Sequence, residues 1–296
     1  MKNLQGRVAV ITGAGSGFGL EVARIAAREG MKLVLCDVQA DALARANAEF
    51  SGQNEVLARQ VDVSKADQME ALAAEVKHRF GAPHFVFNNA GVGAGGLVWE
   101  NTLADWEWVL GVNLMGVVHG VRLFTPMMLE AAKNDAEYEG HIVNTASMAG
   151  LLSTPNMGVY NVSKHAVVAL SETLHQDLAL VTEQIRCSVL CPYFVPTGIA
   201  ASHRNRPDAN AQPTRSQLVG AAMIEQAVSH GKVTSADVAA LVFEAMREER
   251  FYILSHPQAL AGVQQRMDDI VQGRKPSDPF AHRPEIGAQL RQALKG

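Results

Sequence analysis

Scarcities set the first limits on what this chain can be. Only three cysteines occur in its 296 residues, Cys36, Cys187 and Cys191. Each lies inside a strand-like apolar run, where free cysteine behaves as a small buried hydrophobe. The reducing cytoplasm suits that pattern and is the expected setting. Basic residues are not in excess: the net charge is -4, which argues against a nucleic-acid binder and its basic face. No run of eighteen or more apolar residues is present, so no membrane span is expected. The stretch Met1 to Arg7 leads straight into an apolar strand without a signal-peptide core. The ten histidines show no H-E-x-x-H or Cys/His ligand spacing, so no metal site is expected. Neither Ser16 nor Ser147 stands in a G-x-S-x-G hydrolase elbow. No G-K-[ST] follows the first glycine cluster, which excludes a Walker nucleotide triphosphatase.

What remains is ordinary globular material, 48% hydrophobic and 19% charged. Short apolar runs alternate with helical patterns. Val8–Ile11, Leu33–Cys36, a run ending in Val61-Asp62-Val63, Phe85–Phe87, Ile142–Asn144, Ile185–Leu190 and Phe251–Leu254 read as strands. Helices are predicted over Phe18–Glu29 and Ala40–Glu49, along the stripe Met69, Leu72, Val76 and Phe80, onward from Leu103, and over Gly158–Val181. Strands that are apolar throughout, rather than alternating, indicate a parallel sheet covered on both faces. The expectation is an α/β fold: a doubly wound parallel sheet in one domain over residues 1–255, with an excursion at 193–232. A C-terminal extension, 256–296, should hold one helix (Ala259–Val271) and a tail. Ser64 with Asp67, Thr102 with Asp105, and Ser235 read as helix caps.

The turn after the first strand reads Thr12-Gly13-Ala14-Gly15-Ser16-Gly17-Phe18-Gly19. Glycines there let the backbone turn sharply and approach a pyrophosphate, while the helix N-terminus offers free N–H donors. The spacing is T-G-x-x-x-G-x-G rather than G-x-G-x-x-G. Asp37 closes the second strand, where a carboxylate can accept from the adenosine ribose hydroxyls and would repel a 2′-phosphate. With no Arg or Lys in the glycine turn or just after Asp37, NAD(H) is favoured over NADP(H), which stays open.

Further elements follow in order: Asp62-Val63, Asn88-Asn89-Ala90-Gly91, Asn113, Ser147, and Tyr160-Asn161-Val162-Ser163-Lys164. With these the chain resembles the short-chain dehydrogenase/reductase family over roughly residues 5 to 255. The resemblance implies cofactor contacts from Asp62, Val63, Asn89, Ala90 and Gly91, and from Pro192, Val195 and Thr197 beside the nicotinamide. It implies catalytic roles for Asn113, Ser147, Tyr160 and Lys164, with Lys164 also holding the nicotinamide ribose. Tyr193 follows Pro192 where the family usually has glycine. The chain also lacks the family's usual glycine-rich final strand, which puts the common tetramer in doubt. A homodimer through the helices carrying Asn113 and Tyr160 is expected.

The chemistry agrees with that resemblance. Oxidising an alcohol requires taking its hydroxyl proton as hydride leaves the carbon, and a free tyrosine at ~10 is too weak a base at neutral pH. Lys164, one helical turn beyond Tyr160, favours the phenolate. By resemblance, Ser147 would hold the substrate oxygen, and Asn113 a water linking Lys164 to solvent. Gly93, Met148, Met157, Tyr193 and Phe194 are expected along a substrate pocket for a medium-to-large hydrophobic or aromatic secondary alcohol or ketone. His203, Arg204, Arg206 and Arg215 either attract an acidic substrate group or belong to a solvated loop. An NADPH-preferring reductase and a non-catalytic NAD(H)-binding sensor or scaffold are the alternatives.

Overall fold

The computed structural model describes residues 1, 3–207 and 212–295; positions 208–211 of the excursion and 296 of the tail lie outside the described residues. Strands β1 (Val8–Thr12), β2 (Lys32–Asp37), β3 (Val56–Gln60), β4 (Phe85–Asn88), β5 (Gly140–Thr145), β6 (Ile185–Cys191) and β7 (Tyr252–Leu254) form one sheet in the order β3-β2-β1-β4-β5-β6-β7. Every pairing is parallel. Parallel neighbours need a crossover. Helices α1 (Gly17–Arg28), α2 (Ala40–Phe50), α3 (Ala66–Phe80), α4 (Leu103–Leu110), α5 (Gly116–Asn134), α6 (Gly158–Val181), α7 (Arg215–Ser229) and α8 (Ser235–Glu248) supply those connections, and α9 (Leu260–Val271) and α10 (Pro284–Lys295) follow the last strand.

The continuous apolar strands are buried because both faces are covered. On one face Val22, Ala23 and Ala26 of α1 and Val238, Val242 and Met246 of α8 pack on Ala9, Ile11 and Phe87. On the other, Met69, Leu72 and Val76 of α3, Phe124 and Met128 of α5 and Leu174 of α6 pack on Val10, Val34 and Ile142. β1 pairs with β2 on one side and β4 on the other, so the direction of winding reverses at β1. Beyond the strand ends at that reversal an open crevice forms, the usual place for a ligand on such a sheet.

Several local expectations change. β3 stops at Gln60, earlier than Val61–Val63. The Val61 amide still bonds the Asp37 carbonyl at 3.0 Å. Asp62 then turns the chain by accepting from the Ser64 amide at 3.0 Å and hydroxyl at 2.7 Å. Ser64 is thus spent on Asp62 and does not cap α3, whose N-cap position is Lys65. Thr102 and Asp105 do form a capping box on α4. At α8 the box belongs to Thr234 and Asp237, not Ser235, whose hydroxyl reaches the Pro196 carbonyl at 3.2 Å.

The helix from Leu103 runs unbroken to Asn134 but carries a π-helical turn at Gly111–Met115, containing Asn113. It is long and apolar enough to cross a membrane. Here it serves as a core helix, with Val117, Phe124 and Met128 buried. The excursion holds a helix, α7, and the tail holds α10, which patterning did not reveal. These two pack together: the Arg215 Nε donates to the Ala293 carbonyl at 2.7 Å. All three cysteines are free and buried.

Candidate active site

The crevice holds a cavity of about 650 Å³, within the range of ligand pockets. Its floor is the turn between β1 and α1. Gly13 and Gly17 take left-handed φ angles of 64° and 55°, which glycine reaches without strain. A Cβ on Gly19 would lie 2.1 Å from the Gly13 carbonyl oxygen, so only glycine lets α1 start this close to the strand. Gly13, Ser16, Gly17 and Phe18 line the cavity. Thr12, Gly15 and Gly19 shape it from behind. The Thr12 hydroxyl accepts from the Asn89 and Ala90 amides at 2.8 and 3.0 Å, tying the glycine turn to the segment after β4.

At one end Asp37 holds the glycine turn, its Oδ2 accepting from the Gly15 amide at 2.9 Å, while Oδ1 accepts from Gln39 at 2.9 Å. Asp62, Val63, Ala90, Gly91, Trp108 and Val112 continue the wall. Main-chain donors, a carboxylate at the second strand's end and a glycine cradle that any Cβ would fill together suit a dinucleotide.

At the other end α6 places Tyr160 and Lys164 one turn apart, and both line the cavity. The Lys164 Nζ donates to the Thr145 carbonyl at 2.9 Å and lies 5.7 Å from the centre of the Tyr160 ring. Burial pushes the Tyr160 phenol up to about 12, an effect the adjacent Ser147 hydroxyl opposes. Burial likewise lowers Lys164 to about 8, against the opposing pull of Cys191. Without a cationic ligand, then, the phenol is protonated at neutral pH. Ser147 follows β5, its hydroxyl accepting from the Ala149 amide at 3.1 Å and donating to the Pro192 carbonyl at 3.3 Å.

Asn113 is fully buried. Its Oδ1 accepts from the Val92 amide at 2.8 Å, and its Nδ2 donates to the Val92 carbonyl at 3.0 Å and to Ser163 Oγ at 3.1 Å. A Cβ built on Gly91 would stand 3.4 Å from Asn113 Oδ1 and 3.6 Å from Lys164 Nζ. Glycine therefore keeps open a gap that both groups face.

These parts belong together in a known family. The short chain dehydrogenase family model matches residues 7–208. This chain belongs to the short-chain dehydrogenase family. Among its curated relatives is a "CLA biosynthesis dehydrogenase/reductase" of Lactiplantibacillus plantarum, 34% identical over 92% of this chain and 95% of the relative. Another is a "C alpha-dehydrogenase" of a Sphingobium species, 30% identical over 98% of this chain and 94% of the relative. A short-chain dehydrogenase/reductase of Burkholderia phymatum, solved in complex with NAD, superposes with a TM-score of 0.90 at 54% identity, covering 95% of this chain and all of that one. This short-chain dehydrogenase is accordingly an oxidoreductase with the doubly wound fold.

Other expected pocket residues lie away from the cavity wall. Met148 is 1% exposed and packs with Val167, Val168 and Cys191, which makes it core. A Cβ on Gly93 would meet the Ile199 carbonyl at 3.2 Å, so that glycine seats the excursion. Tyr193 stacks on Phe194 with ring centres 4.3 Å apart and meets His256 at 5.8 Å, while its amide donates to Ser255 Oγ at 3.2 Å. The extension thus occupies the surroundings of the departure from the family glycine. Val195 is buried, Met157 is half-buried outside the lining, and Pro192 and Thr197 line the cavity.

Sequence reasoning missed Gln39, Glu107 and Trp108, which also line the cavity, as do Ile199 and Ser202 of the excursion. None stands in a motif; the fold brings them there from three separate segments. Two of the arginines assigned to the loop are otherwise engaged: Arg206 pairs with Asp105 at 2.5 Å, and Arg215 binds the Ala293 carbonyl.

Proposed function

We propose that this short-chain dehydrogenase transfers a hydride between NAD(H) and a hydrophobic or aromatic secondary alcohol or ketone, with Tyr160 as general acid/base. The observation that carries this reading is the buried Tyr160–Lys164 pair at the end of a groove built on a glycine turn. The preference for NAD(H) rests on Asp37, which faces the groove beside Gly15, and is supported by the NAD held in the Burkholderia phymatum relative.

When bound, the nicotinamide accepts or supplies the hydride. Everything else falls to the chain. Tyr160 takes the alcohol proton in oxidation and returns it in reduction. Its pKa of about 12 must fall for that, and the positive charges of Lys164 and of an oxidised cofactor supply the stabilisation. Ser147 donates toward the substrate oxygen once it exchanges its bond to the Pro192 carbonyl. Asn113 Oδ1 has one lone pair committed to Val92 and a second facing the gap at Gly91, where a water would reach Lys164. The reading of the substrate as hydrophobic is supported by the apolar Val92, Val112 and Ile199 along the wall. A homodimer through the Leu103–Asn134 helix that carries Asn113 and through α6 accords with exposed Met115 on the first and Val162 on the second.

The test is a dehydrogenase assay over aromatic, polycyclic and aliphatic secondary alcohols with NAD and NADP in parallel. Turnover with NAD that vanishes in Tyr160→Phe is the expected result. Near wild-type turnover in that variant overturns the mechanism, and equal affinity for NADH and NADPH removes the role given to Asp37.

A further inference from the structure

We propose that Arg204 is a further dinucleotide-binding residue of this chain, a cation held over the glycine turn so that it neutralises the cofactor diphosphate. The proposal rests on the reading of the groove as a dinucleotide site and extends it to a residue outside the glycine motif.

The segment Gly198–Pro207 crosses the groove as a strap, and Gly198, Arg204, Asn205, Arg206 and Pro207 line the cavity from above. It is fastened at several points. On the β2 side the Gln39 Nε2 donates to Asn205 Oδ1 at 2.8 Å. On the α4 side the Arg206 guanidinium pairs with Asp105 at 2.5 Å, with side-chain exposures of only 17% and 5%. Asp105 also accepts from Gln217 Nε2 of α7 at 3.1 Å, so the excursion is moored to α4 twice. Nearer the catalytic end, Ser202 Oγ accepts from the Gly93 amide at 2.8 Å.

These attachments settle where each arginine goes. Arg206 is consumed by Asp105. Arg204, exposed along the groove, has a guanidinium nitrogen 3.0 Å from where a Cβ on Gly198 would stand. Gly198 adjoins Thr197, whose methyl lies 3.5 Å from the corresponding point on Gly17. The charge is therefore carried beside the contact between strap and glycine turn, where the turn itself offers main-chain dipoles but no cation. A planar, always-charged guanidinium suits a diphosphate.

Binding is the readout. Calorimetric affinities for NADH, ADP-ribose and adenosine are measured on wild type, Arg204→Gln and Arg204→Lys at several salt concentrations. Arg204→Gln is expected to weaken NADH and ADP-ribose by roughly tenfold, the scale of one charged hydrogen bond, and to leave adenosine unchanged. Its salt dependence should flatten, and Arg204→Lys should recover most of the loss. An NADH affinity within twofold of wild type in Arg204→Gln, or an equal loss for adenosine, overturns the proposal, the latter by showing that only the strap's shape matters. If wild type itself binds none of the phosphate-bearing ligands, the dinucleotide reading fails first, and the proposal with it.

Discussion

Lys164 and Tyr160 lie on one face of α6 with the ammonium 5.7 Å from the ring centre, and the same ammonium is anchored to the Thr145 carbonyl at 2.9 Å. The lysine is thus held at a fixed place beside the phenol by the end of a neighbouring strand. Removing either group should have separable effects. Tyr160→Phe is expected to lower hydride transfer by ~10²- to 10⁴-fold, the scale of a lost general acid/base. NADH affinity should stay within a few-fold of wild type. Lys164→Met should lose both turnover and affinity, measured by steady-state kinetics and calorimetry.

The depressed pKa of Lys164 makes a statement about stability. Unfolded, the lysine holds its proton up to about 10.5; folded, burial releases it near 8. Between those values the unfolded chain binds more protons, so stability rises with pH across that window. Above about pH 10 Tyr160 acts oppositely, since the folded phenol keeps its proton up to about 12. Comparing ligand-free wild type with Lys164→Met cancels the other titrating groups. The gap in unfolding free energy should favour the variant at pH 7 and narrow between pH 8 and 10. A gap independent of pH would show that the lysine is not desolvated.

Asp37 has its two oxygens on the Gly15 and Gln39 amides. Asp37→Ser should raise the NADH dissociation constant about tenfold or more, because charged acceptors are removed. It should weaken NADPH less, since a repulsive carboxylate goes with them. Parallel titrations with both cofactors give the ratio, which is expected to shift toward NADPH.

Gly19→Ala should disturb the turn and the helix behind it. The added methyl would stand 2.1 Å from the Gly13 carbonyl oxygen, a main-chain atom that cannot swing away. Overpacking of this kind costs about 1–3 kcal/mol. Denaturant unfolding should show that loss, accompanied by weaker NADH binding. Gly52→Ala, where nothing lies within 4 Å, is the control expected to leave both unchanged.

The extension has a mechanical consequence. α10 buries Leu290 and receives the Arg215 side chain of α7 on the Ala293 carbonyl. Deleting the chain from Phe280 onward should leave the sheet folded and loosen α7. Limited proteolysis should then cut within residues 193–232 well before it does in the full chain.

Most of the frame was readable from the residues alone, for local reasons. Wholly apolar strands between helical stripes require a sheet covered on both faces, and the glycines after β1 require a turn that approaches a ligand. The Tyr160–Lys164 spacing places both side chains on one helical face whatever packs around them. The capping errors at Ser64 and Ser235 arose because neighbouring hydroxyls and carboxylates compete for the same amides, and only the chain's path decides which wins. Tertiary structure alone put Met148 in the core, seated Ile199 on Gly93, and paired Arg206 with Asp105 across the groove. Those contacts join segments far apart in sequence, where no period or spacing records the partner. The sequence by itself thus determined the α/β class, the glycine turn and the Tyr160–Lys164 spacing, because each depends on residues within a few turns of one another. What covers the groove, and which cation faces it, depended on how the distant excursion and extension closed over the sheet.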